Sequence, residues 1–97
     1  MFKVEFTPEA IEDMCLLRKY ERTRVIEEIE NPLIHQPAQE TRNRKKLRPN
    51  KVAEWELRAD KFRVFYDIDK ENKVVKIEAV GSKKGSKLFI RGEEYQL

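Results

Sequence analysis

Trp55-Glu56-Leu57-Arg58-Ala59-Asp60-Lys61-Phe62-Arg63-Val64-Phe65-Tyr66-Asp67 is the stretch whose reading decides the fold. Trp55 and Leu57 alternate with Glu56 and Arg58, and Phe62, Val64 and Tyr66 alternate with Arg63, Phe65 and Asp67. Period-two alternation on both sides of Ala59-Asp60-Lys61 predicts two strands joined by a tight turn, one face apolar and the other charged. A second turn at Asp69 to Asn72 leads into a further strand, with Val75, Ile77 and Ala79 on one face and Val74, Lys76, Glu78 and Val80 on the other. Parity then gathers Trp55, Leu57, Phe62, Val64, Tyr66, Val75 and Ile77 into a core. It leaves Glu54, Glu56, Arg58, Arg63, Asp67, Lys76 and Glu78 on the opposite, open face. Gly81 to Gly85 is expected to end the strand, Leu88-Phe89-Ile90 to form a last short one, and Gly92 to Leu97 to be a polar tail.

Upstream, Phe2, Val4 and Phe6 alternate with Lys3 and Glu5, which predicts a strand ending at Thr7. Thr7 suits a helix N-cap and Pro8 the first helical position, with Glu9, Glu12 and Asp13 near the positive end of the helix dipole. Ala10, Ile11, Met14, Leu17 and Tyr20 predict a helix to about Tyr20. After a polar break at Glu21 to Thr23, Val25, Ile26, Ile29 and Leu33 predict a second. Pro32 is expected to stop or kink that helix at Asn31, leaving His35 to Lys51 as a long loop. The expected architecture is α+β, with the N-terminal strand and a helical hairpin packed on one face of a small antiparallel sheet.

The 97 residues are 40% charged and 39% hydrophobic, enough for one domain with a modest core and no large enclosed substrate cavity, so chemistry is expected on an open face. No apolar run reaches the ~18 residues of a membrane span, and Met1 to Glu5 lacks the apolar core of a signal peptide, which points to a cytoplasmic protein with no membrane partner. The single Cys15 reads as core filler, and the lone His35 suggests no metal-ligand set, so neither metal nor cofactor is expected. Gly81-Ser82-Lys83-Lys84-Gly85-Ser86-Lys87 has the wrong spacing for a phosphate loop and reads as a basic turn.

Charge is unevenly distributed. Residues 1 to 41 hold 5 Lys+Arg and 9 Asp+Glu, net −4, whereas residues 42 to 97 hold 16 and 9, net +7. Arg42, Arg44, Lys45, Lys46, Arg48 and Lys51 crowd into ten residues, and Lys83, Lys84, Lys87 and Arg91 form a second group. Such clusters attract phosphate backbones. Phe65 shares the open face with Arg63, so it either stacks on a nucleobase or packs on a cross-strand neighbour such as Val74 or Val80. Trp55, in parity with Leu57, belongs beneath the helices.

The hairpin Trp55-Glu56-Leu57-Arg58 to Phe62-Arg63-Val64-Phe65-Tyr66-Asp67, the Ala79-Val80-Gly81 strand ending and the tract Glu40 to Leu47 resemble the RelE/ParE superfamily of bacterial toxin–antitoxin toxins over nearly the whole chain. The resemblance implies a toxin neutralised by a cognate antitoxin; apolar exposure outside the core is too small to force a homodimer, so the isolated chain is expected to be monomeric. Its target would be messenger RNA on the ribosome or, in ParE-type members, DNA gyrase; a degenerate toxin that only binds its antitoxin is a further alternative. In RelE-like members the cleavage needs no metal: the RNA 2′-hydroxyl attacks the adjacent phosphate. On that resemblance Arg63 would bind the scissile phosphate, with Arg58, Lys46, Arg48 and Lys83 as further phosphate contacts. The chain departs from the RelE pattern at Glu54 and Glu56, where two lysines are expected, and at Phe89, where a tyrosine is. Either one of these glutamates serves as the general base, with Arg42, Arg44, Lys45, Lys51, Phe65, Lys84 and Lys87 contributing to RNA binding, or the chain does not cleave by the RelE route.

Overall fold

The computed structural model describes residues 1–97. The elements run β1 (Lys3–Phe6), α1 (Pro8–Cys15), α2 (Lys19–His35), β2 (Arg44–Lys46), β3 (Trp55–Ala59), β4 (Phe62–Asp69), β5 (Val74–Lys84), β6 (Lys87–Ile90) and β7 (Glu93–Tyr95). Strands β2 to β7 form an antiparallel sheet in sequence order, and β1 joins it as a member rather than packing on its face, lying parallel to β5 from Lys3↔Val74 to Phe6↔Ile77. The fold is α+β, with both helices on one side.

The β3–β4 hairpin follows its alternation. Trp55 pairs with Tyr66, Leu57 with Val64 and Arg58 with Arg63, across a turn at Asp60-Lys61 in which Asp60 takes φ 54. Trp55, Leu57, Phe62, Val64, Tyr66, Val75 and Ile77 are all buried, packed against Ala10 and Met14 of α1 and Val25, Ile29 and Leu33 of α2. These helical residues recur at spacings of four and form the apolar stripes that the sheet covers. The Trp55 ring stacks on Tyr66, centroids 6.1 Å apart, and the Tyr66 hydroxyl donates to the Pro37 carbonyl at 2.8 Å. Burial pushes that phenol's pKa well above its ordinary value.

Thr7 caps α1, its side-chain oxygen accepting from Ala10 N–H at 3.1 Å, with Pro8 just inside the helix. The break between the helices falls at Leu16 to Arg18, not Glu21 to Thr23, because the Glu21 carboxylate accepts from Arg18 N–H at 2.9 Å and starts α2 there. Ile11, Tyr20 and Ile26 are exposed, as is Cys15. Pro32 lies within α2, in its closing turn, where it removes one i→i−4 hydrogen bond and only three residues of helix follow it. The expected loop at residues 35 to 51 contains strand β2, held to β3 by Arg44↔Leu57, Lys45↔Glu56 and Lys46↔Trp55.

Gly81 does not end a strand. It lies inside β5, where an added Cβ would meet the Phe89 carbonyl oxygen at 2.6 Å and Ile90 Cγ1 at 2.8 Å. The side chain is barred by space, so Gly81→Ala should cost about 1–3 kcal/mol, read as a lower urea midpoint at unchanged slope. The tail is likewise structured, with Glu93–Tyr95 pairing to β6.

Glu78 is the extra residue of a bulge between Phe65↔Ala79 and Tyr66↔Ile77. Burial, then a hydrogen bond and repulsion from Asp67, pushes its carboxyl up to about 7, with Lys76 opposing and Glu9 adding to the shift. The folded chain therefore keeps a proton that the unfolded chain releases near 4.5, so this stabilisation is complete below that pH and is lost as pH rises through 7. Glu78→Gln should raise Tm at about pH 8 by roughly 4–8 °C per ~1 kcal/mol recovered, and change it little at about pH 4.

Candidate functional site

The face away from the helices is less open than its parity suggests. Phe65, fully buried, packs with Ala53, Ala79, Leu88 and Ile90, and Leu47, Val52, Tyr95 and Leu97 lie against this second cluster. Curling of the β5–β6–β7 end over the sheet makes a cleft of about 600 Å³. Phe65 therefore cannot stack on a base; its ring meets Ala79 across the ladder instead of Val74 or Val80.

Six cations line the cleft: Arg42, Lys45, Arg58, Arg63, Lys83 and Lys87. They come together because Asn43 and Lys45 on the β2 side, Glu56 and Arg58 on β3, Arg63 on β4 and Lys83 on β5 all fall on one face by parity. Arg63 is only 7% exposed. Its Nη1 donates to the carbonyls of Asp60 and Phe62, each at 2.8 Å, which fixes the guanidinium over the β3–β4 turn. Desolvation and then the positive charge of Arg58 lower its pKa, with Glu56 opposing. Arg58 and Arg63 stand directly opposite each other, and neither makes an ion pair. Like charges so placed repel, and an anion bound between them would relieve the repulsion.

Two glutamates line the cleft, exposed Glu94 on β7 and Glu56 on β3; Glu56 has its side chain 14% exposed and its Oε2 3.8 Å from Lys45 Nζ. Glu54 is elsewhere. It lines a separate hollow with Lys46, Trp55 and Ile68, so the structure separates the two candidate bases and takes Lys46 out of the cleft as well. Arg44 is also withdrawn, its guanidinium donating to the Pro32 and Gln36 carbonyls and to Thr41 Oγ1 at the end of α2. Arg48 and Lys51 are exposed in the β2–β3 connection, outside the cleft lining. Lys84 points to another groove, with its Nζ 5.7 Å from the Phe89 ring centre. Sequence reasoning missed Tyr95, the cleft's aromatic residue; the alternation of Leu88 and Ile90 with Phe89, echoed by Tyr95 and Leu97, was the available signal.

A curled antiparallel sheet, two helices behind it and a cationic cleft in front define a small α+β protein. Residues 4–86 match the family described as the ParE toxin of the type II toxin–antitoxin system, parDE, and the chain belongs to that family, within the RelE/ParE superfamily. The chain is similar to a protein in the toxin–antitoxin complex RelBE2 of Mycobacterium tuberculosis, at 28% identity and TM-score 0.72, over 84% of this chain and 98% of that one. The RelE–RelB complex of Pyrococcus horikoshii gives 22% identity and TM-score 0.65 over 81% and 91%, and the intact RelBE complex of E. coli 19% and 0.60 over 88% and 100%. The latter two speak for the fold. No curated protein matches the sequence. No helix is long and apolar enough to cross a membrane.

Proposed function

We propose that this toxin is a metal-independent, ribosome-dependent messenger RNA endonuclease, held inactive by a cognate antitoxin. The observation that carries the reading is the opposed, unpaired Arg58 and Arg63 beside Glu56 and Lys83 in one cleft. A phosphodiester seated between the arginines would gain charge-assisted hydrogen bonds from both, strengthening as charge develops on its oxygens. Glu56 takes the proton of the 2′-hydroxyl as that oxygen attacks phosphorus. The new O2′–P bond replaces the P–O5′ bond, and Lys83 stabilises the departing 5′-oxygen, which finally gains a proton from water. Arg42, Lys45 and Lys87 neutralise flanking phosphates. The antitoxin follows from the family and from the three similar structures, each of a toxin–antitoxin complex.

Primer extension on a defined messenger RNA in a purified translation system, with and without ribosomes, tests the reading. Cuts at A-site codons that require ribosomes are the expected result. The match to the ParE family favours a second reading, inhibition of DNA gyrase without chemistry on the cleft. A supercoiling assay run beside the first separates them: inhibited supercoiling with intact RNA would replace the nuclease reading with this one.

A further inference from the structure

Strand β5 has a gap on one edge. β1 covers Val74 to Ile77 and β6 covers Ser82 to Lys84, which leaves residues 78–81 without a strand neighbour there. Helix α1 fills the gap: Thr7 Oγ1 donates to the Glu78 carbonyl at 3.3 Å, and Asp13 Oδ2 accepts from Val80 N–H at 2.9 Å. The position of Asp13 late in α1 rules out the helix-dipole role its sequence position suggests. The same Oδ2 accepts from Arg91 Nη1 at 2.9 Å, while Oδ1 has no partner. Asp13 is 3% exposed, so Arg91 is the one cation that compensates its buried charge.

Arg91 and Gly92 form the β6–β7 turn, with φ 51 and 81. Glycine and asparagine suit the first of these positions better than arginine, so the side chain of Arg91, not its backbone preference, fits it to the turn. Beyond the turn, β7 pairs only with β6, through three residues. Yet Tyr95, Gln96 and Leu97, together with Leu88 on β6, form a wall of the cationic cleft. A three-residue edge strand has little to hold it besides the packing of Tyr95 and Leu97 and whatever fixes its turn.

We propose that Asp13 and Arg91 are positioning residues for that cleft, a latch set from the helical side of the sheet that fixes the β6–β7 hairpin and so the width offered to substrate. The proposal rests on the reading that the cleft binds RNA. Arg91→Asn keeps a residue suited to positive φ and removes the cation; Arg91→Lys keeps the cation. Quenched-flow amide exchange on the full chain and anisotropy with a labelled single-stranded oligoribonucleotide test both. Arg91→Asn should speed exchange at residues 93–97 about 10-fold, leave β3 to β5 unchanged and weaken oligonucleotide binding about 10-fold, with Arg91→Lys restoring most of both. Exchange that rises uniformly through the sheet, β7 exchange that does not change, or a freed β7 with undiminished affinity would each overturn the latch. If the wild-type chain does not bind the free oligonucleotide, β7-selective exchange alone sustains or overturns the latch, and the ribosome-dependent cleavage assay decides the RNA reading.

Discussion

Arg63→Ala is expected to reduce messenger RNA cleavage by about 10²–10³-fold or more, the loss seen when one preorganised donor to a developing anion is removed. The guanidinium is already fixed by the Asp60 and Phe62 carbonyls before any substrate arrives, so little reorganisation accompanies binding. Its partial desolvation strengthens each contact it makes to phosphate, and its unpaired state leaves it free to make them. Arg63→Lys should recover only part of the rate, because an ammonium cannot hold two carbonyls and a phosphate in one plane. Arg58→Ala, at an exposed position across the ladder, should cost less, since it also removes the repulsion that Arg63 now bears. Circular dichroism and thermal melts accompany the cleavage assay, because the Arg63 stem is part of a buried face. A folded Arg63→Ala protein that cleaves at the wild-type rate would remove Arg63 from the proposed centre.

The sequence reads most clearly where one physical rule acts alone. Between Trp55 and Asp67 each residue's face depends only on parity and the turn length, and the core and the Arg58–Arg63 juxtaposition both follow. The helices' buried stripes were legible for the same reason, in Val25, Ile29 and Leu33 at intervals of four. The failures lie where distant segments decide. Phe65 looks like an exposed aromatic until Leu88 and Ile90, more than twenty residues later, curl over it. Gly81 reads as a strand breaker, although the close approach of the Phe89 carbonyl demands a glycine within the strand. Strand β2 has no apolar residue to announce it; its pairing is dictated by β3. Counting charges could not sort the cations of residues 42–51 either. Arg44 is consumed by the carbonyls ending α2, while Lys45, one residue on, faces the cleft.

Glu56→Gln should separate chemistry from binding. Glutamine keeps the size of the side chain and gives up only the 3.8 Å ion pair with Lys45, so the cleft's shape should persist. What it loses is the ability to take a proton from the 2′-hydroxyl, and loss of a general base costs typically 10²–10⁴-fold in rate. The loss should appear in single-turnover cleavage, with affinity for the substrate held or improved, because a negative charge leaves a site that binds phosphates. Glu54→Gln is the matched control. Glu54 faces the hollow beside Trp55 and Ile68, so its substitution should leave cleavage unchanged. Loss of activity in Glu54→Gln with a fully active Glu56→Gln would transfer the base to the other hollow and break its link to Arg63. Full activity in both would mean that neither Glu54 nor Glu56 starts the reaction, and would leave Glu94 as the cleft glutamate to substitute next.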